Sequence, residues 1–282
     1  MITQLQYFDN LTDSIANRVI RFTPQIYLIS NKAKMSSSPY EAIGSSILIN
    51  VHERLFLITA GHIISEYKIG KIGFLEDGLF HILDGRVIFF NPNLDNMSKY
   101  TDLAVCELDI ESQRFLSKFY NFINGSAINF DYNPKSVKNF LIVGFPWRKT
   151  KFNYVKQKMK VTPFKLLTDI YENDLLGELK TLGDQNLILR YPQRKILNSK
   201  SGFFKKAVNP EGLSGCGVWH LTNILAKDVS NVRANLAGII IRQDEHTHQY
   251  IIATRIHIVS EMLRVYFDLN FKPSMISRLN RD

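Results

Sequence analysis

An all-β protein built from two β units of similar size and closed by one C-terminal helix is the fold that this sequence predicts. Three observations carry that expectation. Short runs of Val, Ile, Leu, Phe and Tyr recur with turn residues between them. They fall into two series separated by residues 121–136, a segment richer in Asn, Asp, Gly and Pro. The β texture then stops at Ile256, where the apolar residues change to helical spacing.

Residues 1–40 are expected to form an extension and a first strand, with Thr12-Asp13-Ser14 capping a short helical turn and β-like sequence over 19–29. Ser36-Ser37-Ser38-Pro39 reads as a surface loop. The first β unit occupies 41–120, with strands expected over 44–51, 54–59, 71–75, 79–83, 86–90 and 102–108. The linker at 121–136 leads to the second unit, 137–255, with strands expected over 139–144, 152–161, 186–191, 217–222, 235–242 and 250–253. Residues 256–282 supply the helix and a tail. Ile256, Val259, Met262, Leu263 and Tyr266 form its apolar face, and Lys272-Pro273 marks its end.

A chain of 282 residues, 45% of them hydrophobic, has material for one large core or two modest ones. Cys106 and Cys216 are its only cysteines, a count that suits a reducing compartment, and no disulfide is assigned. The first twenty residues contain Asp9 and Asp13 without a basic start or an apolar stretch, so no secretory signal peptide is expected. No run of about eighteen apolar residues occurs, so no membrane helix is expected either. The expected setting is the cytoplasm.

The chemistry centres on Glu211-Gly212-Leu213-Ser214-Gly215-Cys216-Gly217. Glycines around one serine allow a tight turn that exposes the hydroxyl and aims backbone N–H groups at one point. Upstream, Thr59-Ala60-Gly61-His62 places a histidine at the end of an apolar strand, and Asp102-Leu103-Ala104 places an acid at the start of another. A hydroxyl is a poor nucleophile at neutral pH without a base, and the base needs an orienting carboxylate. The expected roles are Ser214 as nucleophile, His62 as general base and acid, and Asp102 as orienter of the imidazole.

These blocks, in this order and spacing, resemble the trypsin-like (chymotrypsin-fold) serine peptidases. Ala237-Gly238-Ile239-Ile240, like the strand lining the primary pocket, and Thr254-Arg255-Ile256, like the strand leading to the terminal helix, extend the resemblance over about 43–267. It implies two six-stranded antiparallel β-barrels with the site in the cleft between them. It also implies an oxyanion hole from the N–H groups of Gly212 and Ser214, and neither metal nor cofactor. Val208, Ile240, Ile241 and Ile251 are the residues it implies for the specificity pocket, which would favour a small or apolar side chain on the acyl side. Asp244 and Glu245 just beyond would instead attract a basic one. The sequence departs from the secreted members in carrying Leu213 where an acid pairs with a cut N-terminus. Either the oxyanion loop is preformed or a partner orders it.

The remaining candidates are expected to be structural. His52 is expected to be solvated at a hairpin. His81, His220, His257, Trp147 and Cys106 are expected to be packed or surface residues, and His246 and His248 lack a completing ligand set. A redox or thiol role is conceivable for Cys216, two after Ser214. The chain carries 35 Lys and Arg against 26 Asp and Glu, a net +9. From Lys135 to Lys165 there are nine basic residues and no acid, with Phe152, Tyr154 and Phe164 between them. That stretch is either a solvated face or a surface for an acidic protein or nucleic acid. The functional expectation is a cytoplasmic serine endopeptidase acting on protein substrates and controlled by a partner. It is similar in type to stand-alone trypsin-like peptidases of bacterial stress or anti-phage systems. The alternative is a retired module that binds protein or nucleic acid through the basic face.

Overall fold

The computed structural model describes residues 4–30, 39–66, 70–90, 101–134, 138–153, 158–171, 185–192, 196–197, 204–205, 209–226, 228–244 and 249–274. The chain begins with helix α1 (Gln4–Val19). The first half then runs through β1 (Gln25–Ser30), β2 (Tyr40–Ser45), β3 (Ile47–Val51), β4 (Arg54–Ala60), helix α2 (Gly61–Ser65), β5 (Gly70–Glu76) and β6 (Leu79–Ile82). It continues with β7 (Gly85–Phe89), β8 (Leu103–Leu108), helix α3 (Ile110–Leu116) and β9 (Ile123–Asn124). These strands make a four-stranded sheet, β2-β1-β5-β6, and a five-stranded sheet, β7-β8-β4-β3-β9. Chain passes from one sheet to the other at Ser46, between β2 and β3. There the Ser46 N–H and hydroxyl both donate to the Pro24 carbonyl, at 3.0 and 3.2 Å. The run expected as one strand over 44–51 is therefore bent into two.

The second half contains β10 (Phe140–Gly144), β11 (Thr150–Asn153), β12 (Lys158–Val161), β13 (Phe164–Thr168) and β14 (Asn186–Arg190). It goes on through β15 (Ile196–Leu197), β16 (Phe204–Lys205), β17 (Gly217–Thr222), β18 (Arg233–Gln243), β19 (Tyr250–Arg255) and helix α4 (Ile256–Tyr266). Its main sheet is antiparallel throughout, in the order β13-β10-β17-β18-β19-β14. The run expected as one strand over 152–161 is the hairpin of β11 and β12. A curled six-stranded sheet, a second set of sheets and a terminal helix make the chymotrypsin-type arrangement. The first half differs from a single six-stranded barrel in its two sheets and in the parallel pairing of β9 with β3.

Three buried clusters hold the elements together. One fills the first half and one the second. The largest joins both halves to α1 and α4, through Leu11, Ile15, Phe56, Ile58, Leu141, Ile239, Ile256 and Met262 among others. Strand β18 is the seam: consecutive Ile239, Ile240 and Ile241 are all buried, and each enters a different cluster. A β-bulge between Ile240 and Arg242 provides the local turn that lets three neighbours do so.

The N-terminus departs from expectation. Thr12-Asp13-Ser14 lies inside a helix of 16 residues instead of capping a short turn. The Thr12 hydroxyl bonds back to the carbonyls of Phe8 and Asp9, both at 2.9 Å, so it is used within the helix. Phe8, Leu11, Ile15 and Val19 recur at three- and four-residue intervals, and that apolar stripe is the signal for the helix. A 3-10 turn follows at Ile20–Phe22, so β structure starts at Gln25. The Tyr7 hydroxyl sits 2.8 Å from both the Ile224 and Ala226 carbonyls, and Arg18 bonds the Val232 carbonyl at 3.1 Å, tying α1 to the second half. The expected linker also takes part in packing, since Ile128 and Phe130 are buried in the shared cluster.

Leu11→Ala should therefore cost about 2–5 kcal/mol, as for a core residue. Its urea midpoint measures this, and a midpoint equal to wild type would make α1 a dispensable extension.

Candidate active site

Strand β4 ends at Ala60 and the chain turns directly into α2, which puts His62 in a first helical turn at the end of a strand that is buried from Phe56 onward. Strand β8 pairs beside β4, with Ala60 opposite Leu103, and so delivers Asp102 next to that turn. The His62 Nδ1 lies 2.5 Å from Asp102 Oδ2, and the His62 backbone N–H donates to Asp102 Oδ1 at 3.1 Å. The Gly61 N–H donates to the Asp102 carbonyl at 3.2 Å. A Cβ on Gly61 would stand 2.5 Å from Asp102 Oδ1, so glycine is what lets the carboxylate close on the histidine. The two side chains are 46% and 38% exposed, so the pair adds at most about 1 kcal/mol to stability and matters for orientation.

The loop at 211–217 arrives from the second half. Gly212 and Gly215 have φ of +90° and +88°, in the region that favours glycine. A Cβ on Gly215 would lie 1.9 Å from the Ser45 carbonyl oxygen and 2.2 Å from Thr59 Oγ1. The loop thus runs directly under β2 and β4, beside His62. Several bonds fasten it there. The Ser45 N–H donates to the Ser214 carbonyl at 2.8 Å, and the Ser45 hydroxyl donates to the Gly212 carbonyl at 3.1 Å. From β18, the Ile240 carbonyl receives the Gly215 N–H at 2.7 Å, and the Ile240 N–H returns to the Cys216 carbonyl at 2.9 Å. Leu213, in the place of an acid, is buried against Gly144 and Cys216.

His62, Ser214 and Gly212 line one cleft of about 460 Å³. The Ser214 hydroxyl donates to the Ile241 carbonyl at 3.5 Å and makes no hydrogen bond to His62. Among the described residues neither the Gly212 nor the Ser214 N–H has a partner. The Trp147 N–H donates to the Glu211 carbonyl at 3.0 Å. In a trans peptide the next N–H points the opposite way, so the Gly212 N–H is directed away from the Trp147 backbone.

Other expected site residues stand elsewhere. Ile240, Ile241 and Ile251 are 2%, 0% and 1% exposed, fill the packed clusters and do not line the cleft. Ile239, Ile240 and Ile241 are consecutive core residues, and Ile251, opposite Gln243, shares a buried cluster with Ile240. Val208, Glu245, His246 and His248 lie outside the described residues. Asp244 is buried, with its N–H on the Tyr250 carbonyl at 3.1 Å. Trp147, expected to be packed, is 43% exposed on the cleft wall, with its indole N–H on Glu211 Oε2 at 2.6 Å. Glu41, Glu66 and Glu211 line the same cleft and have no signal in the sequence beyond their charge.

His52 is exposed in the β3–β4 turn and stacks on Phe271. His81 stacks on Phe115, and His220 and His257 are buried. Among the described residues no group of three or more His, Cys, Asp or Glu is gathered as a metal site would need. Both cysteines are free and buried. Burial pushes the Cys106 thiol up to about 12 and raises the Cys216 thiol further, so neither forms a thiolate near neutral pH and the thiol role for Cys216 loses its basis. In the basic stretch, Lys165 pairs with Asp13, Lys149 lies 5.4 Å over the Phe164 ring, and Phe164 is buried, which removes it as a platform for bases. Lys135, Tyr154 and Lys156 lie outside the described residues, and no helix among the described ones is long and apolar enough to cross a membrane.

No known protein-family model matches the chain, and no curated protein matches it by sequence. Solved structures do match it. A mutant of human heparin binding protein (CAP37), [R23S,F25E]HBP, is similar over 91% of this chain and 96% of its own, with 11% identity and a TM-score of 0.51. The fold of this chain is chymotrypsin-like.

Gly215→Ala would bring a methyl group against the Ser45 carbonyl in a backbone conformation that already disfavours alanine. We expect it to lose more than about 2 kcal/mol, read as a lowered urea midpoint. An unchanged midpoint would mean that the loop does not pass beneath β2.

Proposed function

We propose that this protein is a serine endopeptidase that works through an acyl-enzyme on Ser214. One observation carries the reading. A histidine oriented by a carboxylate at 2.5 Å shares a cleft with a serine whose own N–H and that of Gly212 have no partner among the described residues. Each component is what acyl transfer requires, and no other chemistry uses all of them.

In this reading Ser214 turns from the Ile241 carbonyl toward His62 Nε2, which has no partner among the described residues. Its oxygen attacks the scissile carbonyl carbon while its proton passes to Nε2. The carbonyl oxygen becomes an oxyanion held by the Gly212 and Ser214 N–H groups. Breakdown cleaves the C–N bond, and the imidazolium gives its proton to the leaving nitrogen. Water then attacks the acyl ester, His62 takes the water's proton, and that proton returns to Ser214 as the acid product leaves. Asp102 stays ionised, fixes the tautomer with Nδ1 protonated and stabilises the imidazolium. Each oxyanion donor is worth about two to three orders of magnitude in rate. Ser45, Ile240 and buried Leu213 hold the loop, which in this reading needs no cut N-terminus. A narrow set of protein substrates, control by a partner in the cytoplasm, and a role in bacterial stress or phage defence belong to the same proposal and rest on resemblance in type.

One observation favours the second reading, a non-catalytic module: Ser214 is not bonded to His62. The structural neighbour binds heparin by name, and this chain carries +9 net charge. Reaction with a fluorophosphonate separates the two. The peptidase reading expects stoichiometric labelling, lost in Ser214→Ala and slowed by about three to four orders of magnitude in Asp102→Asn. Labelling no faster in wild type than in Ser214→Ala would leave the binding module.

The Ser45 hydroxyl is a positioning group in this account. Ser45→Ala should slow labelling about tenfold or more and lower kcat with little change in KM, since the loss falls on oxyanion alignment. An equal loss in KM alone would contradict that role.

A further inference from the structure

A second cavity, of about 520 Å³, shares no residue with the cleft that holds His62 and Ser214. Three parts of the chain wall it. Arg18 and Phe22 come from the end of α1 and the turn after it, and Ile128 from the segment between the halves. Trp219, Arg233 and Leu236 come from β17 and β18. The volume is one that small organic ligands fill.

Its charge is one-sided. Arg18 and Arg233 line it, and no described Asp or Glu does. Arg18 donates from Nη2 to the Val232 carbonyl at 3.1 Å, and Arg233 is exposed. Among the described residues neither guanidinium is paired with a carboxylate. A guanidinium carries five donors, so one bond to a carbonyl leaves Arg18 able to grip an anion as well.

The inner wall is apolar with one exception. Trp219 and Leu236 lie opposite each other across β17 and β18, and both are buried. Trp219 is 4% exposed, yet its indole N–H has no hydrogen-bond partner among the described residues. A Cβ on Gly217 would stand 2.9 Å from that nitrogen and 3.0 Å from Leu236 Cδ1. The N–H therefore sits beside Leu236, next to the room that glycine leaves. A buried indole N–H ordinarily finds an acceptor, and a polar atom brought in by a ligand is one.

Together these features select a class of ligand. Two guanidinium groups repel an organic cation. A small inorganic anion would leave the aromatic and aliphatic walls uncovered, and a neutral apolar molecule would leave both arginines without a counter-charge. We propose that the cavity binds an amphipathic carboxylic acid, its carboxylate between Arg18 and Arg233 and its apolar body over Phe22, Trp219 and Leu236. This uses neither Ser214 nor His62, so it stands or falls apart from the peptidase reading.

The chain has two tryptophans, so Trp147→Phe leaves Trp219 as the sole indole and its emission reports on the cavity. Titration of the full chain with decanoate, below its micelle concentration, should change that emission saturably. Decanol, with the same chain length and no charge, should bind at least about tenfold more weakly. Decyltrimethylammonium should give no saturable change. Arg233→Gln, at an exposed position, should weaken decanoate about tenfold and leave decanol within about twofold. Calorimetry on wild type reads the same affinities without the tryptophan substitution. The proposal is overturned if decanoate gives no saturable change, if decanol binds as tightly, or if Arg233→Gln binds decanoate as tightly as the parent.

Discussion

The structure depends on how closely the serine loop passes beneath the first half of the chain. At Gly215 there is no room for a single carbon between the loop and the Ser45 carbonyl. That contact fixes the height of Ser214 relative to β2 and β4, and β4 leads straight into the turn that carries His62. From the other side β18 receives the loop through Ile240 and gives its Ile241 carbonyl to the serine hydroxyl. The site is therefore a junction: one wall comes from each half, and the halves are held in register by a core that also includes α1 and α4.

Secreted peptidases of this fold type would be expected to order the same loop by inserting a charged terminus against an acid. Here the equivalent place is Leu213, and burial of its side chain with Cys216 and Gly144 does the anchoring. The Ser45 hydroxyl and the Trp147 N–H fix the carbonyls of Gly212 and Glu211, and among the described residues nothing bonds the Gly212 N–H. An apolar anchor and neutral hydrogen bonds hold the loop in this arrangement. In the proposed mechanism the serine rotamer is the part that still has to move.

The sequence made the fold and the three polar side chains legible for physical reasons. Strand alternation and turn residues mark β4, β8 and β17, and the small residues beside His62 and Ser214 are required by approaches that only a hydrogen atom allows. What stayed hidden was set by tertiary contacts. Nothing local marks Ile240, Ile241 and Ile251 as core rather than pocket, because a β-branched run suits either place. Trp147 looked like packing, as an aromatic after Gly144-Phe145-Pro146 would, and its exposure follows from the turn that carries it to Glu211. Helix α1 was obscured by Thr12, Asp13 and Ser14, whose capping preference was overridden by an apolar stripe around them. The acidity of the cleft was invisible, since Glu41, Glu66 and Glu211 are far apart in a sequence whose overall charge is positive.

A crystal structure of the protein after reaction with diisopropyl fluorophosphate tests the central claim most directly. The account predicts phosphorus bonded to Ser214 Oγ, a phosphoryl oxygen within about 3 Å of both the Gly212 and Ser214 nitrogens, and His62 still paired with Asp102. Unmodified Ser214, or an adduct whose phosphoryl oxygen meets neither nitrogen, would contradict it.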